Sequence, residues 1–440
     1  MKIKFWSLLL ILCLTLIGGC SGGGEEEKSE VQLKREQREA EFQQGLSKKD
    51  ISTENDITYG PEVKTKGKDK VSGIYDRPRE MRIGVIGPET GELSEFGTKT
   101  LEGVLLAAER LNSSGGLNGK KVEIIHYDSG GTPKGASTAT AKIITDDNVI
   151  AIIGSPTGEI TFNATQLANT SHTIFVSAGT RRRLGDSGPY IFRNALPDDI
   201  AVKRLMEYAL KEKGCKDFAL VTSMSNDYSH QLSSLFKSEI FDKGSNLVAD
   251  MHLWAKDTAN ISAEEMSIER EIKEIKSKKP QCIIYTGESE EGAQLMREAR
   301  RQGLDVPMVG SEDLFSHEFI ELGKDAVVGS ILYTGYSPDW EEKQLKNFIE
   351  DYKKKKGMSP DKIAALGYDT FNIIAKAIAE AGSTETPKVR DAMMNLKDFP
   401  GITGKTSFNE DREPLKPPFL YKVVKDESGV RFSFIGIGNP

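Results

Sequence analysis

From Met81 onward the chain alternates short apolar runs with segments of helical spacing, and that alternation leaves few architectures open. "MRIGVIG" is followed by a pattern in which Leu101, Val104, Leu105, Ala108 and Leu111 recur at three- and four-residue steps. "NSSGGLNG" then stops the helix and turns the chain. The strand "KKVEIIHYD", a helix around Ala136 to Thr145, the strand "VIAIIG", a helix from about Gly158 and the strand "TIFVSAG" keep the same rhythm. Continuous apolar strands separated by helices imply α/β architecture, a parallel sheet covered on both faces. After "YIFRNALPDD" the rhythm restarts with "DFALVTS", "NLVADMHLW", "QCIIYTG" and "PMVGSED". Two such units without a long linker predict two lobes joined by crossing strands. Ligands of open α/β sheets sit at the carboxyl ends of the strands, which paired lobes place across a shared cleft.

The first twenty residues follow another logic. Lys2 and Lys4 precede the apolar run "FWSLLLILCLTLI", which ends at Gly18, Gly19 and Cys20. That run is shorter than the about 20 residues a spanning helix needs and suits the core of a secretory signal peptide over residues 1–20. Small residues directly before a cysteine make "IGGC" resemble a bacterial lipobox, with Cys20 lipid-modified and the mature protein exported and held on a membrane. Residues 21–80, with "SGGGEEEKSE" and "KTKGKDK", read as a solvated, flexible tether. Of the remaining cysteines, Cys215 and Cys282 lie at or just before strands that could be neighbours. Two separate buried thiols are the plainer expectation, and an exported compartment also permits a disulfide.

Several motifs fail on spacing. The turn after "RIGVIG" carries glycines at 87, 91 and 97, not G-x-G-x-x-G, so no dinucleotide site is expected there. "GITGKTSF" lacks the glycine a P-loop needs, because position 399 is Phe. The five histidines form no H-x-x-x-H or H-x-H pair and no CxxC occurs, so no metal and no cofactor is expected. Without a G-x-S-x-G elbow or a triad spacing, nothing points to an enzyme. A net charge of −7 with no basic face argues against nucleic acid. Arg181, Arg182 and Arg183 in "GTRRRLG" read as a solvated loop, with an anionic ligand or partner as the other reading.

The ordered segments "IGPETGELSEFG", "EGVLLAAERLNSSGGLNGKKVEIIHYD", "YIFRNALPDD" and "GITGKTSFNEDRE" resemble the leucine/isoleucine/valine-binding group of type I periplasmic binding proteins, receptors for ATP-driven (ABC) importers, over residues 81 to about 437. The resemblance implies two Rossmann-like lobes linked by three crossovers, near Asp198, Tyr333 and Gly404. One lobe would combine 81–198 with 334–403, the other 199–333 with 404–440. It also implies a ligand site. Phe96 matches a wall aromatic. Ser155, Thr157, Gly158, Ala178 and Thr180 stand where backbone N–H groups and hydroxyls grip a ligand carboxylate at helix amino termini, with Gly158 in place of the usual hydroxyl residue. Tyr228 matches a cleft tyrosine, and Glu312 the acid that pairs with a ligand ammonium. Glu288 replaces a common aromatic and hints at a polar or cationic ligand.

These implications converge on a non-enzymatic, lipid-anchored protein that captures an amino acid or similar small polar ligand and passes it to an ABC transporter permease. The other reading is a lipoprotein of the same fold that regulates a cell-envelope enzyme or receptor by contact. Gly158, Glu288 and the absence of Asp at position 21, which is Ser, lend that reading its weight.

Overall fold

The computed structural model of the protein describes residues 79–155, 158–181, 183–253 and 267–438. The expected signal peptide, Cys20, the tether up to residue 78, and Thr157 lie outside the described residues. Arg79, within the expected tether, is already docked on the body, its Nη1 3.2 Å from the side-chain oxygen of Asn148.

The first half of the body runs β1 (Arg82–Gly87), α1 (Ser94–Ser113), β2 (Glu123–Asp128), α2 (Pro133–Thr145), β3 (Ala151–Gly154), α3 (Gly158–Thr170), β4 (Ile174–Ser177) and β5 (Ile191–Arg193). These strands form one sheet in the order β2-β1-β3-β4-β5, parallel throughout. Every residue of β3, β4 and β5 is buried, as strands covered on both faces require.

The chain then runs α4 (Asp198–Lys213), β6 (Asp217–Ser223), α5 (Asp227–Asp242), β7 (Asn246–Leu253), α6 (Ile268–Ser277), β8 (Cys282–Thr286), α7 (Ser289–Arg301), β9 (Met308–Gly310), α8 (His317–Gly323) and β10 (Ile331–Thr334). Next come α9 (Lys343–Lys356), α10 (Lys362–Ala381), α11 (Thr386–Asn395), β11 (Phe399–Gly401), β12 (Gly404–Phe408), β13 (Pro414–Leu415), β14 (Phe419–Asp426) and β15 (Gly429–Ile437). The second sheet has the order β15-β14-β10-β9-β8-β6-β7. Its last two strands pair antiparallel, so this sheet is mixed where the apolar rhythm alone suggested parallel strands.

Helices α9 to α11 return to the first sheet. Phe371, Ile374 and Ile378 of α10 share a core with Ile83, Val104 and Ile153. The α1–α10 contact is close enough that a Cβ on Gly103 would sit 2.0 Å from the Ala364 carbonyl oxygen, and one on Gly367 2.4 Å from that of Thr100. This approach brings the amino ends of α1 and α10 together at the mouth of the first lobe. Strands β11 to β13 form their own small sheet, and Phe408 joins the first core. The chain pairs into the second sheet from Phe419, opposite Thr334.

A buried polar network ties the connecting segments. Asp369 accepts the Ile402 and Thr403 N–H groups at 2.9 and 2.8 Å. Lys416 donates from Nζ to Asn194 at 2.9 Å and to the Thr403 hydroxyl at 2.5 Å. Burial lowers the lysine to a pKa of about 8, with Asp369 opposing that shift.

Cys215 and Cys282 form a disulfide, with Cα atoms 5.9 Å apart. This corrects the expectation of two separate thiols. The cause is register: β6 and β8 are parallel neighbours, with Phe218 opposite Cys282. The bond closes a sequence separation of 67 residues, and the loss of unfolded-chain entropy is worth about 2–4 kcal/mol. Denaturant melts with and without reductant should show a stability loss of that size, and Cys215→Ala/Cys282→Ala should no longer respond to reductant.

Candidate functional site

The carboxyl ends of both sheets supply the residues that face one another between the lobes. In the first lobe, Arg181 follows β4 by a short turn. The turn is fixed from behind by Arg193 at the end of β5, whose Nη1 donates to the carbonyls of Thr180 and Arg181 at 3.0 and 2.9 Å. Arg193 is itself held by Glu413, Nε to Oε2 2.6 Å, with side chains only 2% and 5% exposed. The other Glu413 oxygen accepts the Leu184 N–H at 2.9 Å. One buried ion pair thus holds Thr180, Arg181 and Leu184 in place. From the same lobe, Lys362 opens α10, whose amino end is capped by Asp361 accepting from the Ala364 N–H at 3.0 Å.

In the second lobe, the turn after β9 places Glu312 and Asp313 side by side, shaped by the Asp313 N–H donating to the Ser311 hydroxyl at 3.3 Å. Arg181 Nη2 reaches Asp313 Oδ1 at 2.6 Å and Glu312 Oε1 at 3.3 Å. Lys362 Nζ lies 2.8 Å from the same Glu312 oxygen, and the Gly335 N–H donates to Glu312 Oε2 at 3.2 Å. The Arg181 guanidinium also lies over the Tyr228 ring, 4.3 Å from its centroid, a cation–π contact that partial burial strengthens. Tyr228 opens α5 and donates its hydroxyl to Asp198 at 2.8 Å; Tyr333 donates to the same oxygen at 3.2 Å.

A cavity of about 570 Å³ remains between the lobes, within the range of small-molecule sites. Phe96, Thr180, Arg181, Lys362, Ile363 and Leu366 line it from the first lobe; Asn226, Asp227, Tyr228, Gln231 and Glu288 line it from the second. Glu312 sits behind Arg181 and Lys362, its side chain 11% exposed.

The anticipated residues are distributed as follows. Phe96, Thr180, Tyr228 and Glu288 line the cavity. Ser155 and Ala178 are buried in the first lobe, their N–H groups donating to Ile86 and Gly154 in the continuing sheet ladder. The Thr180 N–H donates to the Ser177 hydroxyl at 3.3 Å. Gly158 opens α3. Arg181 departs from the solvated-loop reading: it bridges the lobes, whereas Arg183 stays exposed beside Asp199. Lys362 escaped the sequence reading because a lysine at a helix start carries no signal of its own. Asp198 was legible only as a crossover position.

Electrostatics follow burial and pairing. Burial alone would raise the Glu312 carboxyl, but the charges of Lys362 and Arg181, the Lys362 hydrogen bond and the Gly335 N–H outweigh it and bring the pKa to about 2. For Asp198 burial wins over its tyrosine hydrogen bonds, and the pKa rises to about 6. The two act oppositely on stability. Glu312 stabilises fully above its ordinary value of 4.5, and that contribution is lost as the pH falls towards 2. Asp198 binds a proton more tightly when folded, so its contribution appears as the pH falls through about 6 towards 3.8. In denaturation series across pH 2–7, Glu312→Gln should flatten the acid limb below pH 4.5, worth on the order of 3 kcal/mol. Asp198→Asn should flatten the segment between pH 4 and 6.

A family model described as periplasmic binding protein matches residues 80–428. The leucine-, isoleucine-, valine-, threonine- and alanine-binding protein of Pseudomonas aeruginosa is 25% identical over 352 residues, 79% of this chain and 90% of its own. A solved leucine-binding protein from Thermotoga maritima aligns with a TM-score of 0.63 at 25% identity, covering 82% of this chain and 99% of that one. A branched-chain amino acid transporter substrate-binding protein of Streptococcus pneumoniae, solved with isoleucine, aligns at 0.62 and 25%, covering 80% and 99%.

Proposed function

The chain belongs to the periplasmic binding protein family, in its leucine/isoleucine/valine-binding group, and from that premise we propose that it captures an amino acid or similar small polar solute between its lobes and presents the closed form to an ABC importer. The observation that carries this reading is the interlobe cavity of about 570 Å³ with polar and apolar walls drawn from both lobes. A solute touching both walls binds the closed arrangement better than the open one, and that difference in affinity is what shifts the equilibrium. The names of the relatives support the amino-acid class and the importer partner. Regulation by protein contact draws less support, because the bridging side chains leave the cleft open to a small molecule.

A thermal-shift panel of amino acids, amides and small organic acids tests the reading. A specific ligand at 100 times its dissociation constant adds about 2.7 kcal/mol, and silence across the whole panel would sink it.

The finer part of the proposal is a lipid anchor on Cys20 after signal cleavage, with residues 21–78 as a tether spanning roughly 40–45 Å. Expressed in bacteria, the full chain should sediment with membranes, and Cys20→Ser should shift it to the soluble exported fraction. Equal partitioning of the two would remove the anchor from the account.

A further inference from the structure

The acid pair that would receive a ligand's ammonium is already in use. Glu312 Oε1 takes Arg181 and Lys362, Oε2 takes the Gly335 N–H, and Asp313 Oδ1 takes Arg181. The remaining Asp313 oxygen accepts from the Ser311 hydroxyl at 3.0 Å. Two cations balance these two carboxylates, and the neighbouring Asp198 is taken by the Tyr228 and Tyr333 hydroxyls, so the acid pair itself offers no uncompensated charge to an incoming ammonium. The N–H groups of Ser155, Ala178 and Thr180, candidates for gripping a carboxylate, are spent within the first lobe.

What remains is donor capacity. Both acid contacts of Arg181 are made by Nη2 alone, and a guanidinium has five N–H groups and an ammonium three. Arg181 and Lys362 both line the cavity, next to Phe96, Ile363 and Leu366. The acids on the opposite rim, Asp227 and Glu288, are exposed, where water and salt weaken their pull on a cation.

We propose that Arg181 is the specificity-determining residue of the cleft: it fills the Glu312–Asp313 acid pair as a tethered cation and, with Lys362, presents the N–H groups that no described residue takes to a ligand carboxylate, so that the preferred solute is a small organic acid with an apolar body and no α-ammonium. This rests on the solute-capture reading and narrows it. The carboxylate lies against Arg181 and Lys362 in a charge-assisted contact, and the apolar body packs on Phe96, Ile363 and Leu366. An α-amino acid brings an ammonium that must either displace Arg181 from two carboxylates or settle for the exposed Asp227 and Glu288 on the opposite rim, and either is less favourable than leaving the acid pair filled.

Calorimetric titration with matched pairs tests this: leucine against 4-methylpentanoate, phenylalanine against 3-phenylpropanoate, alanine against propanoate. The wild-type protein should bind at least one acid about tenfold or more tighter than its amino-acid partner, the range expected for one charge-assisted hydrogen bond. Arg181→Gln should reverse that order by freeing the acid pair, and Arg181→Lys, which keeps the cation, should retain it. Tighter wild-type binding of the amino acid in the responding pair, or an Arg181→Gln variant with the wild-type order, overturns the proposal. If Arg181→Gln does not fold, the order measured on the wild-type protein decides alone. Binding only to other solutes of the thermal-shift panel overturns this inference and leaves solute capture standing; silence in both experiments ends both.

Discussion

The cleft depends on an ion pair that never touches it. Arg193 and Glu413 are buried together, one at the end of β5 and the other beyond β12, and their charges are affordable only because each is matched and further hydrogen-bonded. The spare guanidinium donors of Arg193 seize two successive carbonyls of the turn that follows β4. That turn then has one path, and Arg181 leaves it towards the second lobe. A residue more than two hundred positions away in sequence thereby sets where a positive charge stands between the lobes.

Much of the architecture was legible because parallel strands buried on both faces read as unbroken apolar runs, as in "VIAIIG" and "CIIYTG". The antiparallel end of the second sheet was not, since β15 is half-buried along most of its length and the β14–β15 hairpin carries no crossover helix to announce direction. Tyr228 and Glu288, singled out in the sequence, do line the interlobe cavity, each at the start of the helix that follows a strand. The sequence reading failed where the answer depends on a partner. "GTRRRLG" looks solvated until Glu312, Asp313 and Tyr228 are known to face it. Glu312 was recognisable as an acid at a strand end, but its saturation by Lys362, Arg181 and the Gly335 N–H is a property of three distant segments. The Cys215–Cys282 bond was likewise a matter of strand neighbours, which spacing alone left open.

Arg181 and Lys362 also alter what closing the cleft means. In a receptor whose lobes meet only through ligand, the empty form has little reason to stay shut. Here two cations of the first lobe pair directly with an acid of the second. Part of the attraction between the lobes is therefore intrinsic, and a ligand needs to supply less of it.

The glycine contacts between α1 and α10 set the order in which the protein can become itself. The face that α1 offers at Thr100 and Gly103 has its partner near Ala364 and Gly367, so the first lobe stays unfinished until more than 260 further residues have emerged. The second lobe's segments from α4 to β10 lie wholly inside that interval. The amino-terminal half emerges early in synthesis yet cannot finish packing until α10 has followed it.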